Sequence, residues 1–194
     1  MKKKVFKIIT SAIMLIAPVG LMAQHLEYKG IPIDGKIEKF AEKLEQSFGY
    51  DNYKLVNTGC DWSMAGIEYG NRFDVYVYSS PLTHTTYEVI LRIDIKDWAK
   101  AKSLYMEIRK DLDKKYTLNN RTESFERPYY DGDGFEIQAF NLGKAQYESY
   151  YKTKYGRINL FIMQGYKDEV SLMIAYIDNA NEIIDEKEED SFRF

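Results

Sequence analysis

The sequence predicts an α+β domain: an antiparallel sheet of two meanders, with two main helices packed on one of its faces. Three observations predict it. Apolar residues recur at every second position through 73–93 and again through 158–174, the period of a half-covered strand. Two other stretches, near 37–44 and 98–112, carry apolar residues at helical spacing instead. Clusters of Gly, Pro, Asn and Asp punctuate these segments.

The chain opens on Lys2, Lys3, Lys4 and Lys7, followed by an apolar stretch from Ile8 to Leu21 broken only by Thr10, Ser11, Pro18 and Gly20. Met22-Ala23-Gln24 then offers a small residue at a cleavage position. Residues 1–23 therefore read as a secretory signal peptide cut after Ala23. An uncleaved anchor is the competing reading. Pro18 and Gly20 count against it, as does a length short of the ~20 apolar residues of a spanning helix. The only cysteine is Cys60, so no lipid-bearing cysteine stands at the cut and no internal disulfide can form. Cys60 itself reads as a small apolar residue. The expected location is outside the cytoplasm, periplasmic or extracellular, and not as a lipoprotein.

The leader holds four lysines and no acids, so its removal leaves 23 Lys plus Arg against 30 Asp plus Glu, a formal charge of −7. That balance argues against a nucleic-acid partner, which needs clustered cations. No later stretch is apolar enough to span a membrane. Residues 24–186 are long enough for one domain with its own core.

Within it, His25-Leu-Glu-Tyr28 reads as a short strand broken by Gly30-Ile31-Pro32. Asp34-Gly35 opens a helix whose stripe is Ile37, Phe40, Ala41 and Leu44, with Gly49 as its stop. Residues 52–93 read as a meander with a Gly70-Asn71 turn. Its second hairpin, turning at 80–84, has one attractive register. Val75 meets Leu91 and Val77 meets Val89, while Asp74 meets Arg92 and Tyr76 meets Ile90. Residues 97–115 form the longest helix, capped by Asp97, with Trp98, Ala101, Tyr105, Ile108 and Leu112 inward. The polar stretch 117–134 reads as a long loop, and 135–145 fits either a short helix or a strand. A second meander follows at 147–153, 156–163 and 169–177, where Ile158, Leu160 and Ile162 face Val170, Leu172 and Ile174. A last short helix covers 179–186, and the acidic tail 187–194 reads as frayed. Helix-then-meander thus occurs twice, without sequence identity between the halves.

Catalytic motifs are missing from this sequence. Two histidines, His25 and His84, stand near no nucleophile elbow, zinc-binding helix or phosphate loop, and no cofactor is expected. Asp131, Asp133 and Glu136 lack the remaining positions of a calcium loop and read as a solvated turn. With Asp178 they are the carboxylates an envelope hydrolase would have to use. Gln24-His25, freed by cleavage, resembles an amino-terminal copper site in composition only.

Tyrosine is the informative excess: 17 in the chain, within an aromatic fraction of 15%. On the strands above, the face away from the helices should be polar. It carries Tyr76, Tyr78 and Ile90 on the first meander and Phe161, Met163 and Met173 on the second. If both meanders join one sheet, these six residues form an apolar patch of the kind that contacts a protein, peptide or glycan. The bland alternative is that a loop or a second copy covers them, making self-association the role.

The run His25-Leu-Glu-Tyr-Lys-Gly-Ile-Pro-Ile-Asp-Gly-Lys-Ile-Glu-Lys-Phe40 resembles the start of an uncharacterised family of exported proteins from Bacteroidota. Gly143-Lys-Ala-Gln-Tyr147, Gly156-Arg-Ile-Asn-Leu160 and Tyr176-Ile-Asp178 are similar to later segments of it. The resemblance implies export and carries no catalytic residue. The layout is also similar to secreted inhibitor domains that bind enzymes through a concave sheet, as in the beta-lactamase inhibitor proteins, a likeness of fold alone.

Overall fold

The structure, a computed structural model, describes residues 24–52 and 62–191. The predicted leader and Cys60 lie outside the described residues.

The chain starts with a two-stranded ribbon, β1 (Glu27–Tyr28) and β2 (Ile31–Pro32). The expected break at Gly30-Ile31-Pro32 is a turn instead. Lys29 and Gly30 both take positive φ, and Ile31 pairs back onto Tyr28. Helix α1 (Ile37–Phe48) buries Ile37, Phe40, Ala41 and Leu44, and Gly49 ends it with φ 63°. That left-handed turn lets the Gly49 N–H reach the Glu45 carbonyl.

Strands β3 (Asp51–Asn52), β4 (Trp62–Glu68), β5 (Asn71–Ser79) and β6 (Thr86–Ile95) form the first meander. The β5–β6 register is the one the alternation predicts, with Asp74 opposite Arg92 and Tyr76 opposite Ile90. The β4–β5 turn falls one residue earlier than expected, at Tyr69-Gly70. Both residues have positive φ, and Asn71 already pairs with Glu68. Gly66, inside β4, is needed for another reason: the Tyr50 ring lies where a Cβ would stand.

Helix α2 (Trp98–Lys115) is capped as predicted, the Asp97 carboxylate accepting from the Lys100 N–H at 2.8 Å. Its whole predicted stripe is buried, with Leu104 added to it. The stretch 117–134 is not all loop. β7 (Thr117–Phe125) pairs with β8 (Ala145–Lys152) along its length. It is the last strand of the sheet, so it needs no apolar alternation. Its helix-side residues meet charged groups of α2 instead: Glu123 pairs with Arg109 at 2.7 Å and Arg121 with Asp113 at 2.5 Å. The ambiguous stretch 135–145 contains a short helix, α3 (Glu136–Asn141).

With β9 (Gly156–Gln164) and β10 (Val170–Asp178), the eight strands run β3-β4-β5-β6-β10-β9-β8-β7, every pair antiparallel. Leu172 pairs with Ile162 and Ile174 with Leu160, while Tyr176 takes Ile158 and Val170 stands opposite Gln164. The last strands of the two meanders, β6 and β10, are neighbours, so the helix-then-strands pattern joins into a single sheet. Phe73, Val75, Val77, Leu91, Ile158, Leu160, Ile162, Leu172 and Ile174 point to one side and are buried in one core with α1 and α2. Burial of each such side chain stabilises by roughly 1.5–3 kcal/mol relative to exposure.

Helix α4 (Asn179–Asp190) outlasts its expected end at 186. Glu188 is buried and accepts from the N–H groups of Leu82 and Thr83 at 2.8 and 3.1 Å. Residues 187–190 are therefore anchored, not frayed. Among the described residues, no helix is long and apolar enough to cross a membrane.

Candidate functional site

The opposite face of the sheet carries the six residues singled out by the sequence. Cross-strand register arranges them in rows. Tyr76 stands beside Ile90, and that row continues through Ala175, Asn159 and Tyr150. In the next row, Arg92 stands beside Met173 and Phe161. Tyr78 and Met163 occupy the flanking rows, next to Glu88 and Ser171. All six share one face because their strand positions have one parity in a continuous register.

Neither α1 nor α2 touches this face, since both bury their stripes in the core on the other side. Met163 is 46% exposed. Tyr76, Tyr78, Ile90, Phe161 and Met173 are half-buried. Cross-strand neighbours account for that partial cover: Tyr76 lies between Ser63 and Ile90, and Met173 between Arg92 and Phe161. On this face Ser63 and Ala65 of β4 and Ser171, Ala175 and Ile177 of β10 are buried, while Ile67 at the far end of β4 is 63% exposed, so the accessible surface is carried by the larger side chains between the small ones. At one end of the strands α4 forms a rim, where Glu182 holds Arg157 through paired 2.5 Å hydrogen bonds.

The charges on the face are largely matched internally. The Arg92 guanidinium donates twice to Asp94, at 3.0 and 3.1 Å, and Ser171 donates to the same carboxylate. Burial, followed by the nearby Asp74, pushes the Tyr76 phenol above its ordinary pKa. It stays a neutral hydrogen-bond donor at physiological pH.

The aromatic rows run into a cavity of about 340 Å³ at the β8–β9 end, a feature the sequence reading did not anticipate. Tyr150, Asn159, Arg157, Asn119 and Lys152 line it. Tyr150 donates to Glu148 at 2.8 Å. The Asn159 Oδ1 is buried without a hydrogen-bond partner among the described residues. Asn159 and Tyr150 belong to the Tyr76 row, so alternation marked their face, but only the β7 bulge at 118–120 brings Asn119 to them.

The other sequence candidates have structural positions. Asp131 accepts from the Trp98 indole at 3.0 Å and from Lys102, which with the indole holds its carboxyl below the usual range. Asp133 accepts from the N–H groups of Tyr130 and Phe135, and buried Glu136 from that of Gly132. Fully buried Asp178 caps α4 and takes the Leu26 N–H at 2.7 Å. None of the four lines the cavity above. His25 lies with Nδ1 3.2 Å from Asp178 and Nε2 3.6 Å from Asp34. Among the described residues, no group of three His, Cys, Asp or Glu side chains is placed to hold a metal ion.

No family model matches the chain, and neither a curated protein nor a solved structure matches it.

Proposed function

We propose that this chain is an extracytoplasmic binding module whose open sheet face engages a protein, peptide or glycan. One observation carries the reading. Tyr76, Tyr78, Ile90, Phe161, Met163 and Met173 share a face that no core helix covers, and the Tyr76 row leads into a cavity where Tyr150, Asn159, Asn119 and Arg157 stand together. Rigid rings and thioethers supply contact area at little entropic cost. The amides and cations at the cavity supply direction. The leader-like residues 1–23 support export as the setting.

The test is a glycan and peptide array probed with the parent chain and a Tyr76→Ala, Phe161→Ala double variant. The expected result is binding by the parent and loss of it in the variant, with circular dichroism still showing the native fold and a melting midpoint lowered by only a few degrees. Binding that survives the double substitution would remove the face from the account.

A further inference from the structure

A second cavity, of about 320 Å³, opens on the helix side of the sheet and shares no residue with the first. Its floor is Leu91 and Ile174, paired residues of the two central strands. Its walls come from distant parts of the chain: the β1–β2 ribbon, the tip of the β4–β5 hairpin and the C-terminal end of α2. Four tyrosines line it, Tyr28, Tyr69, Tyr116 and Tyr176.

These phenols fall into two groups. Tyr28 is committed: its hydroxyl shares a 2.7 Å hydrogen bond with that of Tyr50, and Glu68 accepts from both. Glu68 is in turn paired with Lys29 at 2.5 Å. The hydroxyls of Tyr69, Tyr116 and Tyr176 have no hydrogen-bond partner among the described residues. Burial pushes the Tyr69 phenol up to about 12 and raises Tyr116 and Tyr176 as well. All three are therefore neutral groups that can both donate and accept.

The charge balance selects the ligand class. Glu27 and Glu68 line the opening with Lys29 and Lys115, and Asp111 and Glu107 lie near Tyr69. An anion would meet these carboxylates, and a cation would meet the two lysines. A purely apolar ligand would leave three hydroxyls unpaired at the site. What fits is a neutral molecule with apolar C–H faces for the rings and several hydroxyls for the phenols. The volume stands at the small end of ligand pockets. We infer that this cavity binds a single neutral sugar residue, held by Tyr69, Tyr116 and Tyr176 over the Leu91–Ile174 floor.

This site is independent of the open face, and the experiment keeps them apart. The probes are glucose, galactose, mannose and N-acetylglucosamine, with glucuronic acid and glucosamine as charged controls. Binding is read from amide shifts in ¹H–¹⁵N spectra of the chain. At least one neutral probe should shift Tyr69, Tyr116 and Tyr176, and a Tyr69→Phe, Tyr116→Phe variant should bind it at least tenfold more weakly. Tyr176→Phe alone provides the same reading should the double variant melt early. Tyr76→Ala, Phe161→Ala should leave this binding unchanged. The inference is overturned if no neutral probe shifts those residues, or if a charged control binds as tightly. Undiminished binding by both phenylalanine variants overturns it equally.

Discussion

Leu160 and Phe161 are consecutive on β9 and point to opposite sides of one sheet. Leu160 is fully buried between Ile174 and Ser149 under α2, while Phe161 is half-buried between Met173 and Glu148 with no core helix above it. Both are large and apolar. The difference teaches that hydrophobic content alone does not define the core of this domain: the helices decide which side of each strand becomes interior. An aromatic residue on the other side contributes less to folding and is available for contact.

The largest expected effect breaks the covered side. Leu160→Ala should cost about 2–5 kcal/mol, because the cavity it leaves cannot be filled by the surrounding helix and strands. Phe161→Ala should cost under about 1.5 kcal/mol, as a partly exposed position does. Urea unfolding of the two single variants measures that gap. Near-equal losses would mean that the face is interior after all.

Next is the joint where the two ends of the domain meet. Asp178 accepts from the N–H groups of Leu26, Ala180 and Asn181 while fully buried. Asp178→Ala should cost about 2–4 kcal/mol by leaving those donors unpaired. Hydrogen exchange should rise at both Leu26 and the start of α4. A change confined to α4 would show that the N-terminal ribbon is held by other contacts.

Much of this was legible in the sequence because half-covered strands write their register into alternation. Asp74 opposite Arg92 and Tyr76 opposite Ile90 followed from charge and apolar matching alone. The caps Asp97 and Gly49 were equally plain. β7 was not, because an edge strand under the charged end of α2 carries Arg121 and Glu123 where an inner strand carries valine. Residues 187–190 misled in the same way, since a buried Glu188 held by backbone N–H groups looks like any acid in an acidic run. The open face could be located from parity. The tyrosine cavity could not, because Tyr28, Tyr69, Tyr116 and Tyr176 meet only through topology.

A smaller effect sharpens the comparison at the rim. Burial, and then Glu189, raise the Asp185 carboxyl to about 6. A folded-state pKa above the unfolded one means that the stabilisation is complete below about pH 4 and is lost as pH rises through 6. Asp185→Asn should therefore be more stable than the parent at pH 7, by about 1 kcal/mol given partial solvent screening, and show no gain at pH 4. Melting curves across that range test the sign. A variant less stable at pH 7 would mean that the carboxylate makes a net favourable contact.

The most direct measurement combines Tyr76→Ala, Phe161→Ala and Met173→Ala in one chain and follows its urea unfolding beside that of Leu160→Ala. Removing three large side chains from the open face should lower stability less than removing the one leucine beneath it, with near-ultraviolet circular dichroism still showing a packed core. If the triple variant instead loses more than Leu160→Ala, or unfolds in a broadened transition, those rings and thioethers are structural and the face is not a surface for partners.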